Sequence, residues 1–131
     1  MIPNQVTFFD QNEVPDKLEI YNIENIENIT FVRNWQPTVI TASIIHNVEI
    51  YGIYAIVAHY SSGVRILDIS VPVNPEEVAS YGTRQQVNSK MYEGCWAMYL
   101  FPYGKISTSD ILNGLFVVRS AGLTNINNII N

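Results

Sequence analysis

The chain has 131 residues, of which 47% are hydrophobic and only 15% are charged, and its net charge is −5. Its seven basic residues are scattered, which argues against nucleic acid as the main partner because phosphate binding requires clustered Lys and Arg. No apolar run approaches the roughly 18 residues of a transmembrane segment, and the single cysteine, Cys95, excludes an intrachain disulfide.

The local sequence is typical of β-strands from one end of the chain to the other. Short runs of β-branched and aromatic residues alternate with clusters of Gly, Pro, Asn and Ser, which is the pattern of strands joined by turns. The predicted strands are Leu18–Ile23, Ile29–Trp35, Ser43–Ile50, Tyr54–His59, Val64–Ile69, Glu77–Tyr81, Cys95–Phe101, Lys105–Asp110 and Leu115–Arg119. No segment keeps a helical period over 11 residues. The sequence therefore predicts an all-β fold.

One stretch, IENIENI at Ile23–Ile29, repeats isoleucine at every third residue. A helical stripe also requires steps of four residues, which this stretch lacks. We interpret it as part of an internal repeat.

The internal repeat relates Leu18–Trp35 to Val64–Tyr81 at an offset of 46 residues. Both copies contain an apolar strand, an Asn or Asp, a polar turn, and a second strand that ends in an aromatic residue. A third, partial copy relates Tyr54–Leu67 to Lys105–Val118 at an offset of 51 residues. A unit of this length with about four short strands is the size of one propeller blade.

Three segments in order resemble a known family. HNVEIYGIYAIVAHYSSGVRILDISVPVNPEEVASYGT (His46–Thr83) resembles an LVIVD repeat, and CWAMYLFPYGKISTSDILNGLFVV (Cys95–Val118) resembles the closing repeat of the same proteins. LEIYNIENIENITFV (Leu18–Val32) resembles the end of a preceding blade. Together they resemble the C-terminal part of the choice-of-anchor B family, which are β-propeller proteins of mainly bacterial surfaces. The resemblance implies propeller blades of antiparallel four-stranded sheets and an extracellular or cell-surface location.

The predicted organisation is about two and a half blades of an incomplete ring. A blade end is expected at about 17–35, a full blade at about 43–83, a closing blade at about 94–119, and a tail at 120–131. Propellers have four to eight blades, so this chain cannot close a ring alone. We expect its open blade faces to be covered by further blades of a longer chain, by partner chains or by self-association.

Asn22, Asp68 and Asn74 are predicted to have a structural role in turns. An Asn or Asp at the end of a strand accepts hydrogen bonds from N–H groups of the following turn. Asn22 occupies the repeat position of Asp68, and an amide cannot serve as a general base. This substitution favours turn formation over catalysis.

A ligand or interaction site, if the chain has one, is expected around its two histidines. The alignments place Asp110 at the position of His59, and Trp96 at the position of His46. The candidate residues are His46, Asn47, His59, Tyr60, Trp96 and Asp110. We predict a non-enzymatic structural or binding scaffold with no catalytic residue, cofactor or metal. The alternative is a metal-dependent ligand-binding or hydrolytic propeller that uses His46, His59 and Asp110.

Overall fold

The computed structural model describes residues 6–10, 17–37, 43–83 and 93–120. The strands in this part of the chain are β1 (Val6–Asp10), β2 (Leu18–Asn22), β3 (Thr30–Trp35), β4 (Asn47–Tyr51), β5 (Tyr54–Ala58), β6 (Val64–Asp68), β7 (Glu76–Tyr81), β8 (Cys95–Phe101), β9 (Lys105–Asp110) and β10 (Gly114–Arg119). A single 3-10 turn, Pro102–Gly104, separates β8 from β9. No helix in the described ranges is long and apolar enough to cross a membrane.

The strands form three antiparallel sheets. The N-terminal sheet has the order β1-β2-β3, the central sheet β4-β5-β6-β7, and the C-terminal sheet β10-β9-β8. The predicted all-β class is therefore confirmed. β1 is an additional strand that the sequence analysis does not predict, and the strand expected from Ser43 begins only at Asn47. The predicted tail lies, apart from Ser120, outside the described residues.

The 46-residue sequence repeat is also a repeat of strand register. Leu18 pairs with Trp35 in the N-terminal sheet, as Val64 pairs with Tyr81 in the central sheet. Each pair of strands has a bulge at the same place, which leaves Val32 or Val78 as the extra residue on the second strand. The two sheets are therefore copies of one structural unit down to the bulge.

The central sheet is covered on both faces by its neighbours. One apolar cluster joins it to the C-terminal sheet and contains Ile56, Ile66 and Ile106. A second cluster joins it to the N-terminal sheet and contains Val57, Leu67 and Leu18. Successive residues of a strand point to opposite faces, so β5 contributes to both clusters and is buried along its whole length. This explains why its sequence, YAIVA, is apolar without alternation.

The two outer sheets have apolar residues on the faces that point away from the central sheet. On the C-terminal sheet Tyr99, Phe101, Leu115 and Val117 are exposed, Leu115 to 72%. On the N-terminal sheet Phe31 is 54% exposed and meets Tyr21 edge to face. Apolar faces of this kind normally lie against another layer of structure.

A polar contact also joins the N-terminal and central sheets. The Arg33 guanidinium on β3 donates hydrogen bonds to the Val73 carbonyl (3.2 Å) and to Asn74 Oδ1 (3.0 Å), both in the turn between β6 and β7. Inside the central sheet, Arg65 on β6 pairs with Glu77 on β7 at 2.8 Å. Polar contacts therefore supplement the apolar clusters, both between these two sheets and within the central sheet.

Candidate functional site

Three rings meet at one edge of the interface between the central and C-terminal sheets. His46 precedes β4, Tyr60 lies in the turn between β5 and β6, and Trp96 is near the start of β8. The His46 and Trp96 rings are stacked, with centroids 5.1 Å apart and 28° between their planes. Tyr60 meets His46 edge to face at 5.0 Å. We call these three residues the aromatic cluster. Trp96 is its accessible member, at 46% exposure.

The backbone around the aromatic cluster explains how distant residues meet there. Tyr60 has a positive φ of 28° and forms an isolated bridge with Cys95. The Cys95 N–H donates to the Tyr60 carbonyl at 2.9 Å, which brings the start of β8 against the β5–β6 turn. A bulge between Cys95 and Ala97 leaves Trp96 out of the ladder. Bulges redirect side chains, and this one presents the indole to His46.

The hydrogen bond of His46 determines which ring nitrogen carries the proton. Nδ1 lies 2.6 Å from the Trp96 carbonyl oxygen. A carbonyl oxygen only accepts hydrogen bonds, so Nδ1 must be the donor. In the neutral ring Nε2 is then the acceptor atom. The cluster can therefore offer an imidazole acceptor beside a half-exposed indole face, which suits a ligand that combines an apolar surface with a hydrogen-bond donor.

His59 lies next to the aromatic cluster in sequence but has a different environment. Its side chain is fully buried, and Nε2 lies 3.4 Å from the Ser43 carbonyl. Ser43 Oγ donates to the His59 carbonyl at 2.8 Å and accepts from the Ser62 N–H at 3.2 Å. These bonds join residue 43 to the β5–β6 turn. His59 is therefore part of a buried hydrogen-bond network at this turn.

Asp110 organises the turn between β9 and β10. Its Oδ1 accepts the N–H groups of Leu112 and Asn113, both at 2.9 Å. Its Oδ2 accepts the Thr83 hydroxyl at 2.5 Å, and Asn113 Nδ2 donates to the Thr83 carbonyl at 3.2 Å. Asp110 therefore joins the end of the central sheet segment to the C-terminal sheet.

The remaining candidate residues accept hydrogen bonds through their side-chain oxygen atoms. Asn22 Oδ1 accepts the Glu24 N–H and Asp68 Oδ1 accepts the Ser70 N–H, each at 2.8 Å. The same bond at both repeat positions is the Asx-turn geometry. Asn47 Oδ1 accepts the N–H of the next residue at 2.9 Å. Asn74 Oδ1 accepts from Arg33 of the N-terminal sheet, as described above.

The structure therefore assembles half of the candidate site. It brings His46, Tyr60 and Trp96 together, while His59 and Asp110 are held in separate turns. In the described ranges, no three His, Cys, Asp or Glu side chains are placed to hold a metal ion. Sequence reasoning missed Thr83, the partner of Asp110. No sequence signal identifies it, because the contact spans 27 residues and joins two sheets.

Cys95 is buried beneath the aromatic cluster, and its Sγ lies 2.7 Å from Thr108 Oγ1. Burial raises the pKa of the Cys95 thiol to about 11 from 9.0, although the Thr108 hydrogen bond opposes the shift. The protonated thiol is therefore favoured in the folded state, and its stabilising contribution is complete below pH 9 and lost as the pH rises to 11.

We expect the free energy of unfolding to fall across that interval by up to about 1.4 kcal/mol per pH unit more than in a Cys95→Ala variant. Urea unfolding at pH 8, 9, 10 and 11 measures the difference between the two proteins. A difference that stays constant with pH would contradict a raised thiol pKa. A thiol reagent at pH 8 should also label Cys95 only after urea unfolds the chain.

Comparisons with known proteins identify one region of the chain. Residues 44–83 match the family model described as LVIVD repeat. Neither the comparison with curated proteins nor the comparison with solved structures found a match. The matched residues include the whole central sheet together with His46 and Tyr60. The chain is therefore a β-propeller-like module that contains an LVIVD repeat, with a sheet stacked on each side of it.

Proposed function

We propose that this chain is a non-enzymatic repeat module of a bacterial cell-surface or secreted protein of the choice-of-anchor B type. In this role it acts as a structural and binding scaffold. The observation that carries the proposal is the contrast between the central sheet, which is covered on both faces, and the outer sheets, whose far faces expose apolar side chains. Modules of this kind are stabilised by the neighbours on which they stack.

The hydrogen bonds of His59 and Asp110 support a scaffold rather than an enzyme. His59 and Asp110 both use their side chains to bond backbone or hydroxyl groups of their own turn or of a neighbouring segment of the chain. A general base must have its acceptor atom directed at a substrate. Within the scaffold, the aromatic cluster is the point where we expect a ligand to make contact, because Trp96 is the half-exposed ring of a stacked pair.

Measuring the molar mass of the purified protein in solution tests whether the outer sheet faces associate with other copies of the chain. Tyr99 and Phe101 lie on the outer face of the C-terminal sheet, with ring centroids 4.8 Å apart. We expect the chain to self-associate at micromolar concentration, and a Tyr99→Ser/Phe101→Ser variant to dissociate at least tenfold more readily. Size-exclusion chromatography with light scattering over a dilution series measures both.

A matched control removes two exposed apolar side chains that belong to turns. Ile26→Ser/Val71→Ser changes residues that are 80% and 55% exposed and lie off the sheet faces. This variant should associate like the wild type. A wild-type chain that remains monomeric throughout the dilution series would overturn the proposal that its open faces are meant to be covered.

A further inference from the structure

The strand β10 is an open edge of the C-terminal sheet. In the described residues it pairs with β9 alone, whereas its counterpart β6 in the central sheet pairs with both β5 and β7. Gly63 and Gly114 introduce these counterpart strands, and both have a positive φ, of 80° and 81°. Among the described residues, no strand occupies the position beside β10 that β7 occupies beside β6. An unpaired strand edge offers N–H and C=O groups to another extended chain.

A cleft of about 270 Å³ lies beside this edge, between the central and C-terminal sheets. Its walls are mostly apolar, with Val64, Ile66 and Ala79 on one side and Ile106 and Val118 on the other. The cleft ends at Arg119 and Ser120. A strand added to β10 would lie along the opening, where an apolar side chain can enter.

Two cationic side chains lie at the C-terminal end of β10. Arg119 on β10 lies directly opposite Lys105 on β9, and both are exposed. Like charges in this arrangement are unfavourable. The corresponding pair in the central sheet is Tyr54 and Asp68. A carboxylate on an added strand would lie beside Arg119, one strand further from Lys105, and would reduce the repulsion between the two cations.

Arg119 also differs from its repeat counterpart at the end of the strand. The corresponding Asp68 accepts the N–H that starts the turn from β6 to β7. An arginine side chain has no acceptor atom, so Arg119 cannot form this turn. The sequence thus departs from the repeat at the point where a fourth strand of the same chain would be introduced.

We propose that β10 is a docking edge for an extended strand of a partner protein. The strand pairs antiparallel with β10, places a carboxylate beside Arg119, and inserts an apolar side chain into the cleft. The backbone bonds provide affinity, and the charge and the cleft provide specificity. This inference does not depend on ligand binding at the aromatic cluster.

The chain itself contains a strand with the required charge pattern. In the central sheet, β7 places Glu76 opposite Asp68 and Tyr81 opposite Val64. The same pairing on β10 would place Glu76 opposite Arg119 and the aromatic ring opposite Leu115. Glu77, which pairs with Leu67, would lie opposite Val118 and face the cleft. The probe is therefore a synthetic peptide of residues 75–82 with valine in place of Glu77, PEVVASYG.

The test is a titration of the fluorescently labelled peptide with the full chain, followed by anisotropy. We expect saturable binding, and binding about fivefold weaker for a peptide with lysine in place of Glu76. In an Arg119→Glu variant the preference should reverse in favour of the lysine peptide. Lys17→Glu makes the same charge change on the N-terminal sheet and should leave the original preference intact.

Four results would overturn the proposal. They are the lack of saturable binding up to about 1 mM chain, equal affinity for the two peptides, binding that appears only after residues 121–131 are deleted, and binding that is lost as the chain dimerises. The third would assign the edge to the chain's own terminus and the fourth to a second copy. All are distinct from the mass measurement on Tyr99 and Phe101, which tests the outer face of the sheet.

Discussion

Replacement of Gly94 by alanine is expected to destabilise the protein by more than about 3 kcal/mol. Gly94 has a φ of 115°, and a Cβ built on it would lie 2.2 Å from the carbonyl oxygen of Tyr60 and 2.7 Å from the Ser61 nitrogen. Both contacts are with backbone atoms, which cannot move aside as a flexible side chain would. The change would force β8 away from the β5–β6 turn and separate the aromatic cluster.

Gly114 provides the matched control for Gly94. Its φ is 81°, but a Cβ at this position would meet no atom within 4 Å. Gly114→Ala should therefore cost only the left-handed backbone, about 1 kcal/mol. Urea unfolding of the two variants measures the difference, and Trp96 fluorescence reports whether the cluster has opened. Equal losses in the two variants would show that close contact at Gly94 is not the cause.

The second large effect is expected at Leu67. This side chain is fully buried in the cluster between the central and N-terminal sheets. Leu67→Ala should cost about 2–5 kcal/mol, because it loses the transfer free energy of the removed atoms and leaves a cavity. Ile56→Ala, in the cluster on the other face, should cost a similar amount. The measured quantity is the free energy of unfolding in urea.

Leu115→Ala is the control for Leu67→Ala, because it removes the same atoms from a side chain that is 72% exposed. Leu115→Ala should change stability by less than about 0.5 kcal/mol. Comparing the losses of stability in Leu67→Ala and Ile56→Ala tests the stacking of the three sheets. If only one of them were costly, one face of the central sheet would be open to solvent, and the stacked arrangement of three sheets would be wrong.

Particular strands show why some elements could be predicted and one could not. Nine of the described strands have β-branched runs bounded by turn residues, and most of them have a second copy in the repeat. β1 pairs with β2 as β5 pairs with β6, but Val6 and Tyr54, which hold equivalent places, are separated by 48 residues instead of 46. The repeat alignment therefore slips before it reaches β1. A connection of different length hides a strand from an alignment at constant offset.

The residues of the candidate site also differ in how well the sequence predicts their contacts. The turn role of Asn22 and Asp68 follows from residues two positions away, so local sequence is sufficient to predict it. The stacking of His46 on Trp96 joins residues 50 positions apart on two different sheets. The sequence alignment placed the two in equivalent repeat positions, but equivalence in a repeat does not specify contact. The contact depends on the bulge at Trp96 and on how the two sheets stack.

The sequence by itself determined nine of the ten described strands, the turn chemistry and the repeat. Each depends on the conformational preferences of a few neighbouring residues and on a period that can be counted. Only the tertiary structure decided which histidine stacks on an exposed ring, which acid joins two sheet segments, and which strand edge is unpaired among the described residues. These outcomes depend on contacts between sheets whose residues lie 27 to 50 positions apart. Such contacts are set by packing in three dimensions, which a pattern along the sequence does not describe.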